Sequence, residues 1–251
     1  MPTTDSPEAD ARAARLELER LLGASKLDLP AGFGDAVERY VALLLDANRR
    51  LNLTRVVEPP AVARLHLLDA VSALPLIDSV PGGGTRVDLG SGGGVPGLVL
   101  ALARPRERWV LVDSVRKKAD ALRGFVEALG LANVEVLDER AEVLGRDASH
   151  RGGYAVVTAR ACAALPVLAE YALPLLAVDG TLVAWKGPID DGELRDGSAA
   201  AAVLGGGTPS VRDSGFDELG DHRFVLIAKE APTPDRYPRR PGQPAKLPLG
   251  A

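Results

Sequence analysis

Cysteine, histidine and aromatic residues are scarce in this chain, and each scarcity removes a class of function. Cys162 is the single cysteine among 251 residues, which rules out an internal disulfide and any multi-cysteine zinc site. The 3 histidines are scattered and make no metal cluster, and His66, on an apolar helical stretch, reads as a satisfied core histidine. With aromatics at 4%, broad stacking platforms for single-stranded nucleic acid are not expected. No apolar run is expected to be long enough to cross a membrane. Met1 to Asp10 is polar and acidic without an apolar signal core, so a cytoplasmic protein away from membranes is expected. Charge of one sign is not in large excess either. A net charge of −4 argues against a surface coated in basic residues, though not against a local basic patch.

What is present is the composition of an ordinary globule, with 46% hydrophobic and 25% charged residues. The length fits one large domain, or one domain with an appendage. Residues 1–10 are expected to be disordered and 11–81 to form an N-terminal helical cap. Residues 82–230 then carry an α/β ligand-binding domain, and 231–251 a basic, proline-rich tail with Arg236, Arg239, Arg240 and Lys246. In the cap, spacing predicts helices over Ala11–Leu22, Gly34–Arg50, from Glu58-Pro59-Pro60 onward and over Leu74–Ser79. From Thr85 the pattern changes. Strands are expected at Arg86–Leu89, Trp109–Asp113, Val134–Leu137, Tyr154–Thr158 and Thr181–Trp185, with helices between them, one spanning Leu165–Leu176. An edge strand near Val211 and a final strand Arg223–Ala228 close the series. This alternation predicts a Rossmann-like α/β fold, a mostly parallel seven-stranded sheet with helices on both faces.

The chemistry gathers around Thr85 to Gly97, where an apolar strand runs into a glycine-rich turn and Pro96 stands where a helix begins. Gly90, Gly92, Gly93, Gly94 and Gly97 clear side chains from the loop, so backbone can approach a ligand closely. Gly92-x-Gly94-x-x-Gly97 satisfies the dinucleotide fingerprint. Asp88, two residues before Gly90, also gives Asp-x-Gly-x-Gly, the loop of S-adenosylmethionine (SAM) methyltransferases. Both nucleotide readings, and a plain tight turn, are open on the residues alone.

In an open parallel sheet the ligand lies at the carboxyl ends of the strands. Asp113, closing the second strand, suits the two hydroxyls of a ribose, although the same residue would serve as a helix cap. Ala141 and Glu142 follow the third strand, where an adenine lies in this fold; Glu142 fits a solvated helix-start carboxylate equally well. Arg160 and Lys186 are cations just past the fourth and fifth strands, placed to hold RNA phosphate or orient a base. Arg160 alternatively binds the carboxylate of the cofactor. Cys162 lies among alanines without an obvious base, and reads as a buried small apolar residue rather than the nucleophile that carbon-five methylation of a pyrimidine requires. No Asn/Asp-Pro-Pro-aromatic motif follows the fourth strand, which removes the usual signature of adenine amino-group methylation.

Taken in order, Asn52-Leu53-Thr54, His66-Leu67-Leu68-Asp69, Val87 through Gly97, Leu111-Val112-Asp113-Ser114 with Arg116-Lys117-Lys118, Arg140-Ala141-Glu142, Thr158-Ala159-Arg160-Ala161 and Lys186-Gly187 resemble the ribosomal RNA small-subunit methyltransferase G family. The departures are mild: Ala70 replaces a common serine, and Gly93 and Val95 are variants within the loop. The resemblance implies a SAM-dependent enzyme that methylates N7 of a guanine in 16S rRNA near the decoding centre and releases S-adenosyl-L-homocysteine. It implies cofactor contacts through Gly90, Val95, Ala141, Glu142 and Arg160, to which the loop and strand-end reading adds Asp88, Gly92, Gly94 and Asp113. The expected partner is small-subunit rRNA or the small ribosomal subunit, and the expected state a monomer. Guanine N7 carries an exposed lone pair and no proton, so alignment rather than acid–base chemistry would be required. The rival readings are a small-molecule SAM methyltransferase, a nicotinamide oxidoreductase and a non-catalytic RNA-binding module of the same fold. The tail and strand-end cations are expected to contact phosphate, so that loss of Pro232–Ala251 would weaken rRNA methylation and spare cofactor binding.

Overall fold

Ser6-Pro7-Glu8 starts the first helix, and starts it earlier than composition suggests. In the computed structural model, which describes residues 6–23, 25–81 and 83–250, α1 runs Pro7–Leu22. The Ser6 side chain accepts from the Ala9 N–H, Pro7 occupies the first turn, and Glu8 and Asp10 suit the helix dipole. Of residues 1–10, expected to be disordered, Ser6 is the helix cap and 7–10 are helical, while 1–5 lie outside the described residues.

The second helix, α2 (Phe33–Leu51), buries one apolar stripe of Val37, Tyr40, Val41 and Leu44 and ends at Asn52 in the left-handed conformation. Next, α3 (Pro59–Val62) runs into a π-helical stretch, Ala63–Leu68, and then into α4 (Asp69–Val71), with α5 (Leu74–Asp78) following. Here the expectation about apolar runs needs correcting. Pro59–Asp78 is 20 residues long with mean hydropathy 1.3, enough by length and composition to cross a membrane. Its window is 67% buried inside the fold, so its apolarity is that of a core helix.

The sheet comprises β1 (Arg86–Leu89), β2 (Trp109–Val112), β3 (Val134–Leu137), β4 (Tyr154–Arg160), β5 (Leu176–Lys186), β6 (Ser210–Asp213) and β7 (Arg223–Ala228). Its order is β3-β2-β1-β4-β5-β7-β6. The first five strands are parallel, and β7 inserts antiparallel between β5 and β6. The connecting helices are α6 (Gly97–Ala103), α7 (Arg116–Leu129), α8 (Ala141–Leu144), α9 (Leu165–Ala172) and α10 (Asp191–Val203), and α11 (Gln243–Lys246) lies in the tail. The helix expected over Leu165–Leu176 stops at Ala172. Pro174 cannot continue it, and Leu176 already pairs with Tyr154 across β4 and β5.

Two cores sandwich the sheet. On one face α1 to α5 pack with α6 and α7, so that Leu44, Leu67 and Leu74 share a continuous apolar cluster with Leu98, Leu100, Trp109 and Phe224. On the other, Leu144, Leu165, Leu168 and Ala200 cover Val87, Val110, Val157 and Ile227. The segment set apart as a cap is thus one of the sheet's two covering layers.

Candidate active site

Chain reversal after β1 is what makes the site. The N–H groups of Gly90 and Ser91 both donate to the Val112 carbonyl, at 2.8 and 3.0 Å, tying the turn to the end of β2. Gly90, Gly92 and Gly94 take φ of 72, 56 and 104°, a region that glycine alone enters without steric cost. Asp88 lies beneath the turn, 1% exposed. Its Oδ2 accepts the Gly97 N–H at 3.2 Å and its Oδ1 the Thr158 hydroxyl at 2.7 Å. Burial pushes its carboxyl up to about 6, against the pull of the hydrogen bonds from Thr158, Ser91 and Gly97. A Cβ on Gly97 would stand 2.5 Å from Leu111 and 2.6 Å from Asp88, so helix α6 can seat over this carboxylate only as glycine. The sequence groups Asp88 with the cofactor contacts; the structure turns it under the loop, where it fastens the turn. Gly94 and Val95 face the helical layer. Val95 is buried in the core, the Tyr40 hydroxyl donates to the Gly93 carbonyl at 2.8 Å, and Tyr40 also lies 3.1 Å from where a Gly94 Cβ would be.

On the open side, Gly90, Asp113, Ala141 and Glu142 line one cleft of about 210 Å³, together with Arg140, Tyr171 and Cys162. Asp113 accepts the Gly92 N–H on Oδ2 at 2.9 Å and the Val115 N–H on Oδ1 at 2.8 Å. Both sequence readings of Asp113 are therefore compatible: it caps the approach to α7 and still keeps a lone pair on each oxygen for a ligand donor. Glu142, 2% exposed, accepts from Arg140 Nη2 at 3.0 Å and the Gly242 N–H at 2.8 Å. Burial works to raise its carboxyl, but the Arg140 and Gly242 donors, the Glu142 N–H and the Arg140 charge together hold the group below the ordinary carboxylate value. The cleft thus offers a side-chain-free floor at Gly90, an acceptor pair at Asp113 and a small apolar residue beside a held carboxylate at the third strand. That donor–acceptor set fits a nucleoside.

A second, larger cavity of about 470 Å³ adjoins the first through Cys162, which lines both. Arg160 and Lys186 are here, neither as a bare cation. Arg160 Nη1 donates to the Leu65 carbonyl at 2.6 Å and to Asp69 Oδ2 at 3.1 Å. Asp69, 1% exposed, also meets His222 Nδ1 through Oδ1 at 2.9 Å, and its carbonyl accepts from Trp185 Nε1 at 3.0 Å. Lys186 Nζ donates to Glu193 Oε1 at 2.6 Å and the Ala163 carbonyl at 2.9 Å. The His66 ring lines this cavity, with Nε2 2.8 Å from the Thr54 hydroxyl. Burial, and then the Arg160 charge, lower its pKa to about 4, so the imidazole is neutral near pH 7. Cys162 corrects the sequence reading: it is exposed at the wall between the cavities. Its crowded surroundings and the nearby Asp88, Asp113 and Glu142 push the thiol up to about 11.

Sequence reasoning missed Tyr171 in the cleft, and Trp185, His222 and Glu193 around the second cavity. No local spacing marks His222, which meets Asp69 across 153 positions. Asp69 itself lay within the quoted His66-Leu67-Leu68-Asp69 piece, but without an assigned role. Among the described residues, no group of His, Cys, Asp and Glu could hold a metal ion.

A family model described as rRNA small subunit methyltransferase G matches residues 34–216. The chain is 44% identical over 242 residues to a protein of that name from Rubrobacter xylanophilus, covering 95% of this chain and 92% of the relative. It is 43% identical over 245 residues to the protein of the same name from Deinococcus radiodurans, covering 97% and 96%. Among solved structures, a SAM-dependent O-methyltransferase from Thermotoga maritima matches with a TM-score of 0.52 at 14% identity, over 76% of this chain and 72% of that one. A mutant of MtNAS in complex with S-adenosylmethionine matches with a TM-score of 0.51 at 14% identity, over 91% and 100%. These likenesses establish the methyltransferase fold, and the two relatives span the glycine turn and both cavities. The chain belongs to the rRNA small subunit methyltransferase G family.

Proposed function

We propose that this chain methylates N7 of a guanine in 16S rRNA, using S-adenosyl-L-methionine bound in the cleft at Gly90, Asp113, Ala141 and Glu142. The observation that carries the proposal is the shared wall at Cys162, which sets the cleft of about 210 Å³ directly against a cavity of about 470 Å³, large enough for a purine. When bound, SAM supplies a methyl group on a positively charged sulfur. The chain then has to orient, not to activate. His66 is neutral and engaged with Thr54, and the Cys162 thiol stays protonated near pH 7. Neither suits the base-assisted or covalent chemistry that an exocyclic amine or a carbon acceptor demands, whereas a ring nitrogen with a free lone pair, such as N7, needs only a held approach.

Arg160 and Lys186 are the candidates for positioning the base, each held rigid by an acidic partner. Arg55, Arg116 and Lys117 are exposed and close in sequence to Val56 and Ser114, which line the two cavities, favouring a phosphate-bearing polymer over a small uncharged acceptor. An rRNA substrate places the enzyme in the cytoplasm. The test is to incubate the protein with labelled SAM and small-subunit rRNA from a strain lacking the modification, then map the label. Transfer to N7 of one guanine is expected; label on a carbon or an exocyclic amine, or none at all, overturns the proposal.

A further inference from the structure

Arg239 sits in the middle of a tail whose cations the sequence assigns to RNA, yet its guanidinium faces inward. Glu170, on α9, is 0% exposed, and four hydrogen bonds from Arg239 converge on its carboxylate. Nε donates to Oε1 and Oε2 at 2.9 and 3.0 Å, Nη2 donates to Oε2 at 2.5 Å, and the backbone N–H donates to Oε1 at 2.7 Å. A planar fork and an amide on one buried carboxylate fix direction as well as distance. Upstream, the Arg151 guanidinium donates to the carbonyls of Thr233 at 2.7 Å and Tyr237 at 2.8 Å, setting the path of the tail across the sheet's second layer. Pro238 closes against Gly145, where an added Cβ would stand 2.9 Å from its ring.

Three residues beyond Arg239 the tail reaches the cleft. Gly242, at φ 80°, turns its N–H onto Glu142 Oε1 at 2.8 Å. Glu142 lines the nucleoside cleft, and so does Tyr171, the neighbour of Glu170. One short stretch of tail therefore grips both elements, α8 and α9, that wall the third-strand end of the cleft.

We infer that Arg239 and Gly242 are positioning residues for the nucleoside end of the cofactor, acting through Glu142 and Tyr171, and that the tail is a working part of the cofactor site. This reverses the expectation that loss of the tail would spare cofactor binding. Arg236, which lies over the Tyr237 ring at 5.1 Å, Arg240 and Lys246 are exposed to solvent and reachable by phosphate; Arg239 is not. The inference rests on the assignment of the cleft to S-adenosylmethionine.

The test is calorimetry with S-adenosyl-L-homocysteine and with adenosine, on the full chain, on Arg239→Lys, which keeps the charge but loses the fork, and on a chain ending at Ala231. Melting temperatures are recorded in the same buffers, and binding is measured well below them. Arg239→Lys is expected to raise Kd for both ligands by about tenfold, since small misplacements at a site are felt strongly, and to leave the KM for rRNA unchanged. The shortened chain should lose more; where it does not fold, Arg239→Lys decides. Unchanged affinity with a lowered melting temperature would make the pair structural only and overturn the inference. A raised KM for rRNA at unchanged affinity would return Arg239 to the RNA and overturn it equally. A wild-type protein that binds neither ligand removes the cofactor assignment itself, and the inference with it.

Discussion

Asp88 and His66 show how far a side chain's type can mislead about its task. The Asp-x-Gly spacing places an acid beside a ligand loop but does not say which side of the turn the carboxylate takes. Here it lies underneath, where the Gly97 N–H and the Thr158 hydroxyl absorb it. Its folded pKa, raised to about 6 from 3.8, means the fold favours the protonated acid. The stability this group contributes is fully present below pH 3.8 and is lost as pH rises through 6. His66 acts in the opposite sense. Its folded pKa of about 4 lies below 6.5, so its contribution is present above pH 6.5 and is lost as pH falls through 4. Over the acid range the two changes oppose each other. Asp88→Asn keeps an acceptor for the Gly97 N–H and removes the buried charge. Its stability relative to wild type should therefore rise between pH 4 and pH 7 by on the order of 3 kcal/mol. Urea unfolding at both pH values checks this, and a difference that does not change with pH would contradict it. The partners of Arg160 were beyond sequence reading for a simpler reason: Asp69 lies 91 positions away, and nothing local encodes such a pairing.

Among the elements, α2 has a function its apolar stripe does not advertise. Tyr40 is buried in the core, but its hydroxyl reaches the Gly93 carbonyl at 2.8 Å, and Leu44 would lie 2.9 Å from any Cβ on Gly93. The helix thus clamps the back of the glycine turn whose front faces the cleft. Tyr40→Phe should cost about 1–3 kcal/mol, because a buried carbonyl is left without its donor. It should also weaken S-adenosylhomocysteine binding while the rest of the sheet stays native. Thermal melting and calorimetry on the same sample read both effects, and a loss of stability without a loss of affinity would detach the clamp from the site. The strands and the longer helices were legible because their periodicity runs over several turns or alternations. By contrast α8 is 4 residues long, too short for any periodic pattern. The end of α9 was misplaced because Leu173 and Leu175 keep the chain apolar past the residue where Pro174 stops the helix.

At the scale of the molecule, the change from purely helical to alternating pattern near residue 82 looks like a domain border. It is a change of layer. The cluster that holds Leu18, Val41 and Leu67 also holds Leu98, Leu111 and Val183, so no solvent-facing surface separates the two parts. A chain beginning at Gly84 would bare the apolar flanks of α6 and α7. It should aggregate rather than fold as a free-standing sheet domain, which solubility and near-ultraviolet dichroism would test; a soluble, folded product would restore the border. What the sequence could not convey is that a boundary in pattern and a boundary in packing need not coincide.

The couples Arg160 with Asp69 and Lys186 with Glu193 bear on turnover. In the proposed reaction a purine enters neutral and leaves carrying a fixed positive charge. A lone carboxylate would grip that product, and a lone ammonium would repel it before transfer was complete; matched couples do neither. In that reaction, departure of the modified ring is thereby left to the RNA's own grip on the surface rather than to a charge in the pocket.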